Sequence, residues 1–160
     1  MTNDGELFDK IKRTVFPGLI SNWHSHKLGS LGATAIGMKE FGQAYTKQVI
    51  KNAQKLGECL YERGYDVIGA HKGFTRSHTI AMDVSEYGSG EEVSQRLEDN
   101  NIILNKNTLP GGDVKNPKGI RIGTQEMTMM GMKDGEMEEL VHQTFLQLEL
   151  VTGAHGSHEY

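Results

Sequence analysis

The chain has 160 residues, about one domain's worth of material and enough to bury a single core. Hydrophobic residues at 36% and charged residues at 24% exclude wholesale disorder, and a net charge of −4 from 17 basic and 21 acidic residues argues against a nucleic-acid binder. No apolar run approaches the roughly 20 residues of a membrane span, no signal-peptide core opens the sequence, and the single cysteine, Cys59, precludes an internal disulfide and points to a reducing, cytoplasmic compartment.

In chain order, Asn3 and Asp4 offer capping oxygens ahead of an apolar rhythm at Leu7, Ile11 and Val15, which predicts a short helix stopped by Phe16-Pro17-Gly18. Leu19 to Gly32 carries too many glycines and histidines to assign. Met38, Phe41, Tyr45, Val49, Ala53, Leu56 and Leu60 then recur by threes and fours, the signature of one buried helix face. That helix extends back to about Leu28 and ends at Gly64, the expected left-handed stop. Short strands are expected at Tyr65–Ile68, Thr79–Val84, Ile102–Leu104 and Gly119–Gly123. Ser89 caps a helix over about Gly90–Asn100, with Glu91 and Glu92 at its positive end. Asp134 opens a last helix whose buried stripe is Met137, Leu140, Val141, Phe145 and Leu148. This order predicts an α+β domain, a small and mostly antiparallel sheet with helices on one face. The first 25 or so residues read like a piece of something else, and 152–160 reads as a flexible tail.

The most informative stretch is Gly119-Ile120-Arg121-Ile122-Gly123-Thr124. On a strand the two isoleucines face one way and Arg121 the other, so isoleucines packed on the helices leave Arg121 on the uncovered face. A guanidinium on a rigid strand suits a carboxylate, which it grips through two parallel hydrogen bonds, and the flanking glycines admit a close approach. An ordinary surface arginine on a half-exposed sheet explains the pattern equally well. Asn105-Lys106-Asn107-Thr108-Leu109-Pro110 is dense in donors for a polar heterocycle or an anion, and is equally the composition of a plain strand exit.

The seven histidines form no set with metal-ligand spacing: His24 and His26, His71 and His78, and His155 and His158 each lack a completing Cys or carboxylate. His142 reads as structural or exposed. There is no Gly-x-Ser-x-Gly elbow, and Cys59 beside Leu60 reads as a small buried hydrophobe. Met127, Met129, Met130 and Met132 read as packing.

Taken together, Phe16-Pro17-Gly18-Leu19, Asn105-Lys106-Asn107, Gly119-Ile120-Arg121-Ile122-Gly123-Thr124, Gly131-Met132 and Glu136-Met137 resemble serine hydroxymethyltransferase in order and approximate spacing. The likeness is strongest to archaeal members and runs from Leu7 to about Leu148. It implies the C-terminal domain of a pyridoxal-phosphate enzyme of the aspartate-aminotransferase fold, a homodimer that interconverts serine and glycine with tetrahydrofolate or a modified pterin as one-carbon carrier. By position, the resemblance makes Arg121 the carboxylate-binding residue for the amino acid and sets Asn105 near the pterin. Ser21 and Asn22 would approach the cofactor phosphate held by the neighbouring subunit. It also divides the chain into 1–25, the end of the large cofactor domain and a linker, and 26–151, the small domain with a long connecting helix.

Two departures stand out. Ile20-Ser21-Asn22-Trp23 replaces the usual Gln-Gly-Gly-Pro, and Thr128-Met129-Met130-Gly131 lacks the arginine usual before the glycine. None of the twelve lysines sits in the Thr-rich context of a Schiff-base lysine. No catalytic residue and no metal ligand is therefore assigned, and the chain alone is expected to be inactive. A non-catalytic binding or interaction module derived from the same domain is the alternative.

Overall fold

A computed structural model describes residues 2–22 and 24–152, with side chains to residue 143; Trp23, the stripe positions Phe145 and Leu148, and the tail with His155 and His158 lie outside the described residues or side chains. The chain divides into two compact units, Met1–Phe41 and Gly42–Tyr160.

In the first unit, helix α1 (Gly5–Arg13) is capped by Asp4, whose carboxylate accepts the Leu7 amide at 3.1 Å. The helix gives way to a wide turn over Thr14–Leu19, where Phe16 is extended (φ −133°, ψ 123°), as a residue before proline prefers. No residue of α1 or of the turn is buried. Helix α2 (Ser25–Glu62) starts slightly before the expected Leu28 and continues across the division into the second unit.

The second unit holds the core. Val49, Ala53, Leu56 and Leu60 of α2 are buried as their spacing predicts, but Met38 and Phe41 are 38% and 47% exposed. Both belong to the first unit, whereas the buried stretch of the stripe lies in the second. Gly64 ends the helix with φ +88°, a conformation open to glycine and strained for other residues.

Three strands, β1 (Thr79–Asp83), β2 (Asn105–Asn107) and β3 (Gly119–Gly123), form an antiparallel sheet in the order β1-β3-β2. Two expected strands differ. Tyr65–Ile68 makes only a single bridge, Val67 to Met82, squeezed between Gly64 and the left-handed Gly69. The third strand begins at Asn105, after Ile102–Leu104. Asn101 leaves helix α3 (Gly90–Asp99) with φ +65°, and the Ile102 amide bonds back to the Leu97 carbonyl at 2.8 Å, so Ile102 is spent on ending the helix. Ile102 and Leu104 still pack against the core.

Helix α3 carries a full capping box: the Glu92 amide donates to the Ser89 hydroxyl at 3.2 Å, and the Ser89 amide to the Glu92 carboxylate at 2.9 Å. A short helix α4 (Gln125–Met129), not anticipated, follows β3 directly, and α5 (Asp134–Thr152) closes the described chain with Met137 and Val141 fully buried. The core joins α2, α3, α5 and the packed side of the sheet through Leu56, Leu60, Ile80, Met82, Val93, Leu97 and Ile120. The arrangement is α+β. Among the described residues no helix is long and apolar enough to cross a membrane.

Candidate functional site

Along β3, Ile120 is fully buried, Arg121 is exposed and Ile122 is partly buried. The packed face therefore takes the isoleucines, and the arginine stands on the open face, as strand alternation requires. The ladder register sets Ala81, Arg121 and Asn105 in one row across the three strands. Opposed residues on one face have Cβ atoms about 5 Å apart, so the Arg121 and Asn105 side chains leave the sheet as direct neighbours. The adjoining rows are Asp83, Gly119 and Asn107 on one side, and Thr79 and Gly123 on the other.

This face is a donor-rich platform. Among the described residues, neither the Arg121 nor the Asn105 side chain makes a hydrogen bond or an ion pair. In the adjoining row, the Asp83 carboxylate accepts the Ser85 amide at 2.8 Å, and the Asn107 amide donates to the Thr108 carbonyl at 3.0 Å. Gly119 is required by packing, since a Cβ there would collide with the Leu109 side chain. A planar cation and a primary amide, side by side and uncommitted, can bind a carboxylate through charge-assisted bonds and offer a further donor and acceptor beside it.

The polar stretch that reads as a strand exit is a strand, and pairing splits its donors. Asn105 and Asn107 join the open face; Lys106 projects to the other side, where it is ion-paired with Glu91 of α3. Nothing in the sequence alone opposes Asn105 to Arg121. The alternation of amide, ammonium and amide was the available signal, obscured because none of these residues favours strands.

Ser21 and Asn22 are exposed, in the first unit, just past the Thr14–Leu19 turn. The rings of His24 and His26 meet edge-on at 5.8 Å, but among the described residues no group of three or more metal-capable side chains converges. Cys59 is 7% exposed in the core, and burial pushes its thiol pKa up, which keeps it protonated and unreactive. The methionines divide: Met127 packs against the core, whereas Met129, Met130 and Met132 are 57%, 80% and 36% exposed, so the packing expectation fails for those three. An apolar cavity of about 290 Å³, lined by Leu56, Leu60, Leu104, Ile122 and Met127, takes Ile122 from the packed side of the sheet; it offers no cation to an acid.

Comparison with known proteins gives this geometry its context. A family model described as serine hydroxymethyltransferase matches residues 2–144. The chain belongs to the serine hydroxymethyltransferase family. Curated hydroxymethyltransferases similar to it include that of Saccharolobus solfataricus, 49% identical over 142 residues, which cover 86% of this chain and 33% of the relative. That of Methanothermobacter marburgensis is 53% identical over 138 residues, covering 84% and 33%. The chain thus spans about a third of the length of these relatives, and the match is to their C-terminal portion. Family membership agrees with the α+β arrangement, that of the C-terminal domain of the aminotransferase fold.

Proposed function

We propose that this chain is the amino-acid-receiving part of a serine hydroxymethyltransferase, the enzyme that interconverts serine and glycine with a pterin one-carbon carrier. In this reading Arg121 holds the substrate carboxylate and Asn105 lies beside the pterin. The observation that carries it is the row Ala81, Arg121, Asn105, in which an uncommitted guanidinium stands on the open face of a sheet whose other face is locked into the core. An arginine held this way binds a planar anion with little reorganisation.

The open face does not by itself fit pyridoxal phosphate, the family's cofactor. Its ladder positions are Thr79, Ala81, Asp83, Asn105, Asn107, Gly119, Arg121 and Gly123, without a lysine, and the neighbouring Lys106 is turned to the other side and paired with Glu91. The face binds and orients; the amine that the cofactor needs must come from elsewhere in the enzyme. Ser21 and Asn22, exposed hydroxyl and amide donors, remain the proposed contacts to a phosphate of the neighbouring subunit of a dimer.

The test is serine cleavage by the enzyme carrying this chain. Arg121→Ala is expected to lower kcat/KM by about a hundredfold or more, the cost of removing one partner of a charged hydrogen-bonded pair. A loss below tenfold contradicts the role. The 160-residue chain alone, mixed with pyridoxal phosphate, is expected to cleave no serine and to give no lysine-dependent visible absorbance band. Such a band, removed by substitution of one lysine, overturns that part of the reading.

A second reading, a non-catalytic module that associates with a full-length relative, is favoured by one observation. In the first unit Leu7, Phe8, Ile11, Phe16 and Leu19 are 46–79% exposed, more apolar surface in a row than a monomer ordinarily shows. Solution mass decides it: a stable monomer that stays apart from a full-length relative excludes it.

A further inference from the structure

Among the described residues the second unit buries the polar side chains of Asn52 and Thr124 fully, and that of Thr128 is 9% exposed, where apolar ones would satisfy packing. All three belong to one hydrogen-bond chain, and it ends at the strand that carries Arg121. Thr124 follows β3 directly. Its hydroxyl lies 2.9 Å from the Val49 carbonyl of α2 and 3.2 Å from the His78 carbonyl ahead of β1, and its amide donates to that His78 carbonyl at 2.9 Å.

The Thr124 carbonyl in turn accepts the Thr128 hydroxyl at 2.6 Å. The Thr128 oxygen accepts from the Asn52 amide at 2.9 Å, and the same amide donates to the Met132 carbonyl at 2.9 Å. The Asn52 oxygen accepts from Gln48 at 2.8 Å, and Gln48 also donates to Asp134 at 3.0 Å. One turn further back, the Tyr45 phenol donates to the Gln125 carbonyl at 3.0 Å. Tyr45, Val49 and Asn52 share one face of α2, by the helical spacing of four and three.

Apolar contact alone lets a strand slide along a helix at little cost, because it is non-directional. Hydrogen bonds in a low-dielectric interior do not, since each displaced partner is left unsatisfied. The outer end of β3 is therefore fixed in height and rotation against α2, and Arg121 sits three positions from the fixed point, on the order of 10 Å along the strand. A bidentate grip on a carboxylate tolerates little error, and a misplacement of about 1 Å can cost a hundredfold in rate.

We propose that Thr124, whose hydroxyl is anchored on the Val49 carbonyl of α2 and whose carbonyl is held by Thr128 and through it by Asn52, is a positioning residue for Arg121: its hydroxyl sets where the guanidinium meets the substrate carboxylate. This rests on the assignment of Arg121 to that carboxylate. The sequence alone gave Thr124 no role beyond following the Arg-Ile-Gly motif.

The experiment is a double-mutant cycle in the serine-cleaving enzyme, with Thr124→Val, Thr124→Ser and Arg121→Ala. Valine keeps the shape and removes the hydroxyl; serine keeps the hydroxyl. Thr124→Val is expected to raise KM for serine about tenfold with kcat changed less than about threefold, and Thr124→Ser to stay within about twofold of the parent. In the Arg121→Ala background Thr124→Val is expected to do nothing more, because the group it positions is gone. A second readout is amide exchange at Arg121, Ile122 and Gly123, faster in Thr124→Val and unchanged in Thr124→Ser.

An unchanged KM in Thr124→Val, or an equal rise with and without Arg121, overturns the inference and leaves the Arg121 assignment standing. An unchanged KM in Arg121→Ala sinks that assignment and the inference with it. If Thr124→Val does not fold, Gln48→Met takes its place, removing an outer donor of the chain. It is expected to raise KM about threefold only when Arg121 is present, and failure to do so overturns the inference.

Discussion

The two faces of the sheet are built from alternate residues of the same strands and do unlike work. On the packed face Ile80, Met82 and Ile120 are 0–3% exposed and close the core against α2, α3 and α5. On the open face, one residue along each strand, Arg121 and Asn105 are solvent-facing and uncommitted. Core packing and the proposed recognition are therefore assigned to alternate residues of the same strand. The backbone holds the site rigid because its neighbours are buried, while the site's own side chains contribute little to folding.

Substitutions on the two faces should therefore differ in their effects. The largest expected effect on stability is Ile120→Ala, which leaves a cavity in the core and should cost about 3 kcal/mol in urea unfolding. Arg121→Ala should stay within about 0.5 kcal/mol in the same experiment, as an exposed residue without partners should. Equal losses at both positions would erase the distinction.

Next is Gly90→Ala, about 2 kcal/mol, because the added methyl group collides with the carbonyl of Gly119 where α3 crosses the start of β3. A smaller change is expected of Ser89→Ala, about 1 kcal/mol, from loss of the cap on α3. These losses reach the open face only through the backbone, so each should lower the unfolding midpoint well before it alters affinity for an amino acid.

The smallest effect is on pH. The Ser89 amide and hydroxyl hold the Glu92 carboxyl below the usual carboxylate range, and the Lys51 ammonium, followed by the Gln48 amide, does the same for Asp134. Groups depressed in the folded state stabilise it above their unfolded pKa, and that contribution is lost as pH falls through the lower folded value. Unfolding free energy should therefore be flat from about pH 7 to 5 and decline below about pH 4, with a shallower decline in Glu92→Gln. Stability rising on acidification would contradict the assignment of these pairs.

Much of this was legible in the sequence, for physical reasons that vary by element. The helical stripe from Val49 to Leu60 and the alternation around Arg121 are hydrophobic periodicities, and burial follows them directly. Ser89 and Glu92 announce a helix start by their own chemistry. What failed depended on partners distant in sequence. Ile102–Leu104 has strand composition, but its first amide is taken by the end of α3; Asn105–Asn107 lacks strand composition, yet β3 recruits it. Met38 and Phe41 continue the stripe in pattern but belong to the first unit and are exposed, outside the core that buries Leu56 and Leu60. At the candidate site the arginine was readable from one strand, whereas its opposition to Asn105 and its tether through Thr124 exist only after three segments assemble.

If Arg121 reads a carboxylate, as proposed, then discrimination between glycine and glycinamide by the enzyme carrying this chain depends on it. The amide keeps the size and amine of glycine and removes the negative charge. The parent enzyme should bind glycine at least about a hundredfold more tightly than glycinamide, and Arg121→Ala should abolish most of that preference while leaving glycinamide affinity within about threefold. An undiminished preference for glycine in Arg121→Ala would contradict the account.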